Sequence, residues 1–569
     1  MYKNFLLKYI DYALIIIVYS MVYGIILFNG SALFDSTVHA NLKSDDLIKY
    51  FCEWGNPPIA YFLNYLFSFK NLYIFKFITF GAYLLSAILL YGVLKSIKEM
   101  DRFSRLFITL LFASLPYNDA RVSVGHVLHS IAYMFFYISY YFAVKYFQTR
   151  QSIIRIISLA SAFLAFFINS FLVFYVIIIL HLMYLEKVEI KIEKLKNFVL
   201  KYIDYFILPV FFWIIKKFYF VPYGYFAGYN ELNFSLRTLY NMVNTSNEAF
   251  IKFIDYLTYS FLATSPGLIL FVAVCLSVFF NYCTKNCEPV SDYNSNKIFL
   301  GLGIIAYILA ILPYSLVGVV GRFYYFEPDF YIGNEETRHM CLVPLGISFI
   351  IYYSLNLVLQ YFDINKPKIK ILIHSIILAL VMNASISIYF DYQAQWLYYI
   401  SLRTNFKNNE IIKNNTTFLV NDSALSFLKF TTGTYLAAFI DAFEDQSRFM
   451  ITETGLMKES LSYEKYATNV PANLFIKNVP ENLTKDKLKY LKIDPQYMDL
   501  KYKNFYLLSD YKSSNFQYEV TIKPNPGFIL TPRKIMKLTY YKIFKKAEFN
   551  KYITDLLNFK FEKIQQPEI

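Results

Sequence analysis

The chain is poor in charge. Charged residues occupy 17% of its 569 positions while hydrophobic residues occupy 57%. An ordinary soluble domain carries about 25% charged residues. The imbalance excludes the row of soluble domains that the length alone would allow, and it excludes a disordered chain. Cysteine is scarce as well, with five residues, so a disulfide scaffold is excluded. Cys283 and Cys287 share one loop, but no second pair or nearby histidine completes a zinc set. Tryptophan is nearly missing, with three residues against 58 Phe and 54 Tyr. No Walker loop, Gly-x-Ser-x-Gly elbow or His-Glu-x-x-His is present, which removes the commonest nucleotide, serine-hydrolase and zinc-protease signatures. The run Gly301-Leu302-Gly303-Ile304-Ile305-Ala306 matches a dinucleotide fingerprint in letters. It lies inside an apolar stretch with no strand before it, and reads as small-residue helix packing.

What is there is a succession of apolar runs. A spanning helix needs about 20 mostly apolar residues. Eleven candidates follow at 12–29, 72–94, 106–116, 127–146, 153–168, 170–185, 203–220, 261–281, 298–320, 340–361 and 371–390. The run 153–185 is too long for one crossing and is split at Asn169-Ser170. The connecting segments alternate in charge, with 19 Lys and Arg on one side and eight on the other before residue 391. Short basic loops stay cytoplasmic, so the N-terminus is expected inside and the tail outside. The first run is longer than a signal-peptide core and reads as an uncleaved anchor. The net charge of +14, which in a soluble protein would point to nucleic acid, is thereby assigned to membrane topology.

The expected fold class is an α-helical polytopic membrane protein of about eleven transmembrane helices with a small C-terminal soluble α/β domain. The expected division is a transmembrane domain over 1–390, with outer loops 30–70, 221–260 and 321–339, and an extracytoplasmic α/β domain over 391–569. In the tail, Asp391 to Lys407 reads as an amphipathic helix. Thr416–Val420, Phe449–Thr452 and Tyr518–Ile522 read as strands, being rich in β-branched or aromatic residues between turn formers. A bacterial inner membrane with a periplasmic tail is the expected location.

Polar groups gather in the outer loops. The first holds Asp35, His39, Asp45, Asp46 and Glu53, then Pro57-Pro58-Ile59-Ala60-Tyr61-Phe62-Leu63 in a stretch too short to span and suited to the interface. Another holds Arg322, Glu327, Asp329, Arg338 and His339, and a short one holds Asp119, Arg121 and His126. Carboxylates can take a proton from an acceptor hydroxyl, and Arg or His can stabilise a departing phosphate. The pattern suits transfer of a group from a lipid-linked phosphate donor. Mg²⁺ or Mn²⁺ would suit the first-loop acids as oxygen ligands, though no spacing is diagnostic of a metal.

An acidic residue just after the first span, Asp35, followed by Pro57-Pro58-Ile59-Ala60-Tyr61-Phe62-Leu63, resembles the first outer loop of GT-C glycosyltransferases. The similar branches are the protein mannosyltransferase-like and aminoarabinose lipid A transferase-like ones. The resemblance implies a multi-span membrane domain, a polyprenyl-phosphate-linked sugar donor and a glycan, lipid or protein acceptor. It makes Asp35 the catalytic carboxylate. Those branches often have Asp-Glu where this chain has Asp35-Ser36, and Asp45-Asp46 is the alternative pair, similar to O-antigen glucosyl transferases of the same broad class. Arg322, Arg338, His339 and Arg121 are the expected donor-phosphate ligands. Two other functions fit the composition: an O-antigen polymerase or ligase-like enzyme, and a transporter or flippase of lipid-linked saccharides. Transport is disfavoured because most spans read as apolar throughout, with ionisable residues at the outer rim.

Overall fold

The computed structural model describes residues 2–31, 44–69, 71–228, 232, 234–284, 293–319, 326–327, 330–331, 335–364, 366–414, 417–420, 438, 442–443, 449–452 and 518–563. The chain divides into two compact units, Met1–Tyr392 and Gln393–Ile569. The first is helical. Its helices are α1 (Tyr2–Tyr23), α2 (Ser44–Glu53), α3 (Pro57–Ser68), α4 (Leu72–Leu94), α5 (Arg102–Ser114), α6 (Val127–Thr149), α7 (Ser152–Ala165), α8 (Ser170–Phe174) and α9 (Val176–Leu185). There follow α10 (Ile192–Lys201), α11 (Ile203–Phe218), α12 (Leu236–Ala263), α13 (Pro266–Thr284), α14 (Tyr293–Leu316), α15 (Val343–Tyr361) and α16 (Pro367–Asn408).

Among the described residues six helices are long and apolar enough to cross a membrane: Tyr9–Phe28, α4, Val124–Thr149, Asn294–Leu316, α15 and α16. The number is eight if two bent pairs each make one crossing, Ile192–Lys201 with Ile203–Phe218 at 70° and Leu236–Leu262 with Pro266–Tyr282 at 110°. The protein is thus a helical membrane protein. Large apolar side chains such as Ile17, Phe77, Ile156, Phe211 and Phe271 are exposed on these helices, as a hydrocarbon solvent permits.

Local signals set several helix ends. Asn71 caps α4 by accepting from the Tyr73 N–H at 3.1 Å, and Asp101 caps α5 by accepting from the Ser104 N–H at 2.6 Å. Side chains at these positions satisfy N–H groups that a helix leaves orphaned. The apolar run from 153 breaks between Ala165 and Ser170, where the sequence was divided. Where α14 and α15 meet, a Cβ on Gly346 would lie 2.5 Å from the Tyr307 nitrogen, and one on Gly303 2.7 Å from Phe349 Cβ. These glycines let two backbones approach, as small residues do between membrane helices. Gly301 plays no such part, since a Cβ there meets nothing within 4 Å. Near the other end of the bundle the buried Asp11 carboxylate receives Arg102 through Nε at 3.1 and 3.2 Å and Nη2 at 2.7 Å, which fastens α1 to α5.

The second unit holds a four-stranded sheet and helices α17 (Glu410–Asn414), α18 (Pro532–Phe544) and α19 (Lys546–Ile553). Besides the short antiparallel pair β1 (Phe326–Glu327) and β2 (Phe330–Tyr331) of the first unit, the strands are β3 (Thr417–Val420), β4 (Phe449–Thr452), β5 (Tyr518–Pro524) and β6 (Leu557–Lys563). The sheet order is β4-β3-β5-β6, parallel except for the β5–β6 pair. β3, β4 and β5 coincide with the three expected strands. The separate amphipathic helix expected from Asp391 is instead the continuation of α16, 42 residues long. Between Lys368 and Asn408 there is neither glycine nor proline to stop it. Its last turns belong to the second unit, where Gln393 Nε2 donates to Thr539 Oγ1 at 3.0 Å and Lys542 Nζ lies 4.0 Å from the Trp396 ring centre.

Candidate functional site

The turn between α5 and α6 is the most unusual polar stretch in the first unit. α5 stops because Leu115 is extended ahead of Pro116. A 3-10 turn, Pro116–Val122, follows, and all seven of its residues are buried. Connections normally run over the surface because buried backbone must find partners. Here side chains from elsewhere supply them. Tyr23 OH donates to the Leu115 carbonyl at 3.3 Å and Ser385 Oγ to the Ser114 carbonyl at 2.5 Å, while the turn's own Tyr117 OH donates outward to the Ala249 carbonyl at 2.9 Å. The Lys76 ammonium, 1% exposed although it sits inside α4, donates to the Val122 carbonyl.

Asp119 and Arg121 lie in this turn, 0% and 4% exposed. Asp119 Oδ1 accepts from Thr337 Oγ1 at 2.6 Å and Oδ2 from Tyr392 OH at 2.5 Å. Thr337 Oγ1 in turn accepts from the Ala120 N–H at 3.0 Å. This stitches the turn to a second 3-10 segment, Glu335–Met340, which carries Arg338 and His339. The Arg121 guanidinium lies 4.3 Å from the Tyr23 ring centre and 4.6 Å from that of Tyr83, a desolvated cation–π setting. Its Nε donates to the Asn118 carbonyl at 2.6 Å.

Histidines complete the cluster. His126 Nε2 lies 2.9 Å from Tyr83 OH and 3.1 Å from Asn118 Nδ2. Its ring stacks on His129 at 4.9 Å. Arg121, Arg338, His129 and His339 all act electrostatically on His126, so they share one neighbourhood. Burial first, then Arg338 and His129, hold the His339 imidazole well below its usual pKa, so it is neutral at pH 7. The Nδ1 atoms of His126, His129 and His339 are buried and lack a hydrogen-bond partner among the described residues.

The structure therefore brings together three of the expected donor-phosphate ligands, Arg121, Arg338 and His339, with Asp119 and His126. Arg322 and Asp35 lie outside the described residues. Asp45 and Asp46 are exposed in the first turn of α2, where the helix dipole favours acids. No hydrogen bond or ion pair joins either to the cluster. α2 packs on α3 and on the turn Gly224–Phe226. Its loop is pinned to the end of α11, because Lys216 Nζ donates to the Gly55 carbonyl at 2.6 Å and to Asn56 Oδ1 at 2.7 Å. Gly55 has φ +74°, and a Cβ there would lie 2.5 Å from the Phe220 oxygen, so only glycine fits.

Lys76, His129, Thr337 and Tyr83 went unnoticed in the sequence. A lysine in the first turns of an apolar run is a signal of function by default, and its presence corrects the reading of spans that are apolar throughout. The 221–260 loop holds most of one long helix. Its helix α12 is amphipathic with the polar side inward: Thr238, Asn241, Thr245 and Ser260 are buried, while Leu239, Tyr240, Ile251, Ile254 and Leu262 are exposed. Tyr256 OH reaches the Pro116 carbonyl at 3.5 Å, so this inward face covers the turn that carries Asp119. Among the described residues no group of three or more His, Cys, Asp or Glu side chains is set to hold a metal ion. No protein-family model matches the chain, and comparison with curated proteins finds no similar sequence.

Proposed function

We propose that the protein is a membrane glycosyltransferase of GT-C type, moving a sugar from a polyprenyl-phosphate-linked donor to a cell-surface glycan, lipid or protein. The observation that carries the reading is the buried cationic cluster. Buried Lys76 and Arg121 reach the Pro116–Val122 turn, and the half-buried Arg338 lies beside it with three imidazoles whose Nδ1 atoms have no partner among the described residues. Among the described side chains, Asp119 is the one carboxylate hydrogen-bonded into it. Buried charge is costly unless compensated, and a phosphate is the compensating ligand that Arg and His suit best. In this reading Arg121, Arg338 and His339, with Arg322, hold the donor phosphate. Asp35, or the pair Asp45 and Asp46, takes the acceptor proton. Any Mg²⁺ or Mn²⁺ would sit with the first-loop acids.

The fold supports the same reading. In this reading the six long helices, the two bent pairs, the shorter apolar helices Ser152–Ala165 and Ser170–Leu185, and Arg102–Ser114 are taken as the eleven crossings that the charge alternation predicts. The N-terminus is then cytoplasmic and the C-terminal unit extracytoplasmic, in a bacterial inner membrane.

The test uses the full chain in lipid nanodiscs, with undecaprenyl phosphate and undecaprenol as probes. Tight binding of the phosphate and weak binding of the alcohol is expected. Arg338→Ala should lower the phosphate's affinity by about tenfold or more, the scale of one charge-assisted contact. Equal binding of phosphate and alcohol would sink the assignment. A second reading, transport of a lipid-linked saccharide, gains support from Lys76 and His129 buried within the spans. It differs in predicting movement of the intact donor across a vesicle membrane with no sugar transferred.

A further inference from the structure

We propose that α6 carries a proton relay joining the cationic cluster to the opposite end of the bundle. Residues His126, His129, Tyr133, Tyr137 and Tyr140 are spaced by three or four, so they share one helix face. His126 is 3% exposed, Tyr133 1%, Tyr137 0% and Tyr140 7%. In a chain with 58 Phe, bulky filling alone does not call for a hydroxyl or imidazole at every one of these positions. A buried hydroxyl in hydrocarbon costs free energy that phenylalanine avoids.

The file is hydrogen-bonded at its two ends and ring-packed between them, and the buried Tyr137 hydroxyl in its middle makes no hydrogen bond among the described residues. His126 Nε2 meets Tyr83 OH at 2.9 Å. The Tyr83 and Tyr133 rings are 4.8 Å apart, and the Tyr133 and Tyr137 rings 5.0 Å. Tyr140 follows Tyr137 by three residues on the same helix face. Tyr140 OH meets His181 Nδ1 at 2.9 Å, and His181 Nε2 meets Ser96 Oγ at 3.2 Å. Ser96 is flanked by the exposed Lys95 and Lys98, on the end of the bundle opposite the cluster. At 1.5 Å rise per residue, His126 to Tyr140 alone covers about 21 Å, most of a hydrocarbon core about 30 Å thick.

Every member of this file both donates and accepts. Each can take a proton on its lone pair and release its own to the next, so one proton enters at one end and one leaves at the other. The groups are unchanged at the end and no co-reactant is needed. The Tyr137 hydroxyl, buried with no hydrogen-bond partner among the described residues, is the place for a water that would close the longer steps on either side of it, since buried polar atoms without protein partners are where ordered water sits. Chains of this kind within spans are a known means of moving protons. The inference does not depend on sugar transfer: it shares His126, His129 and Tyr83 with the cluster proposed to bind phosphate, while Tyr137 and Tyr140, where it is tested, lie outside that cluster.

The experiment reconstitutes the full chain in liposomes containing a pH-sensitive dye, with a potassium diffusion potential set by valinomycin. The wild type should acidify the lumen faster than protein-free liposomes do. Tyr137→Phe should return flux to the protein-free level, and Tyr140→Phe, one step further along, should do the same. Tyr175→Phe removes an equally buried hydroxyl that lies off α6, and should leave flux intact. Melting temperature confirms that each variant is folded. Wild-type flux no greater than that of empty liposomes would overturn the relay. So would full flux in both Tyr137→Phe and Tyr140→Phe, or equal loss in Tyr175→Phe. If flux persists while undecaprenyl phosphate fails to bind, the relay stands and the transferase reading falls.

Discussion

Two acid-bearing stretches of the first unit present opposite faces to their surroundings. In the turn Pro116–Val122 the carboxylate of Asp119 is fully buried and doubly hydrogen-bonded. In α2 the acids Asp45 and Asp46 point to solvent while Leu47 and Phe51 are buried. α2 follows the rule for a helix on water, with apolar residues inward. The Asp119 turn, with α12 over it, inverts that rule. An interior that keeps its polar groups and an exterior that keeps its apolar ones are what a lipid solvent selects. The comparison therefore separates acids that hold the structure together from acids that are free to react.

The largest expected effect breaks the buried side of that comparison. Asp119→Ala leaves the buried Thr337 and Tyr392 hydroxyls without their acceptor. Stranding the two donors costs about 1–3 kcal/mol each, and thermal unfolding in detergent should show a large fall in melting temperature. Next comes the inward polar face of α12. Asn383 Nδ2 donates to Ser260 Oγ at 2.8 Å and to the Ser260 carbonyl at 2.9 Å, and its Oδ1 accepts from Thr264 at 2.9 Å. Asn383→Ala should cost about 1–3 kcal/mol, the cost of stranding buried polar partners. If it melts like the wild type, the inward polar face is solvated and not packed.

How much of this could be read from residues alone follows from the same contrast. Apolar runs were legible because lipid demands length and hydrophobicity, and β3, β4 and β5 because their residue types are local signals. Arg121, Arg338 and His339 stood out as ionisable groups beside spans. Their convergence did not, because Ala120 and Thr337 are joined by a hydrogen bond across 217 residues, and no local pattern reports that. Lys76 was overlooked because one lysine barely alters the mean hydropathy of a 23-residue span. α16 was divided in two because its composition changes near Asp391, although nothing in its backbone stops it. β6, with Leu557, Phe559 and Phe561 alternating, carried a signal that went unused.

A smaller effect concerns a carboxylate of intermediate setting. Burial by itself raises the Glu186 pKa, but hydrogen bonds from Lys201, Tyr202 and Arg150 outweigh it and bring it down to about 2. A carboxylate lowered in the folded state stabilises it above the unfolded pKa, and that contribution is lost as pH falls toward the folded value. The melting temperature should therefore drop between about pH 4.5 and about pH 2, and Glu186→Gln should lessen that drop. A drop of the same size in Glu186→Gln would assign the acid sensitivity elsewhere.

The smallest expected effect on stability carries the most functional information. Asp45 and Asp46 are exposed, and among the described residues no ion pair or hydrogen bond ties their side chains to a partner. Replacing both by asparagine keeps the shape and loses only an exposed interaction with the helix dipole, so stability should change by about 0.5 kcal/mol or less. A folding defect then cannot account for any change in activity. Cell-surface glycan composition in the double variant, set beside Asp35→Asn, tests the acids as a group. Loss in the double variant with an intact glycan in Asp35→Asn makes the pair the acceptor-activating acids, and the reverse assigns that role to Asp35. An unchanged glycan in both, at normal protein levels, removes the first loop from the chemistry and leaves Asp119, already saturated by Thr337 and Tyr392, as the carboxylate at the cluster.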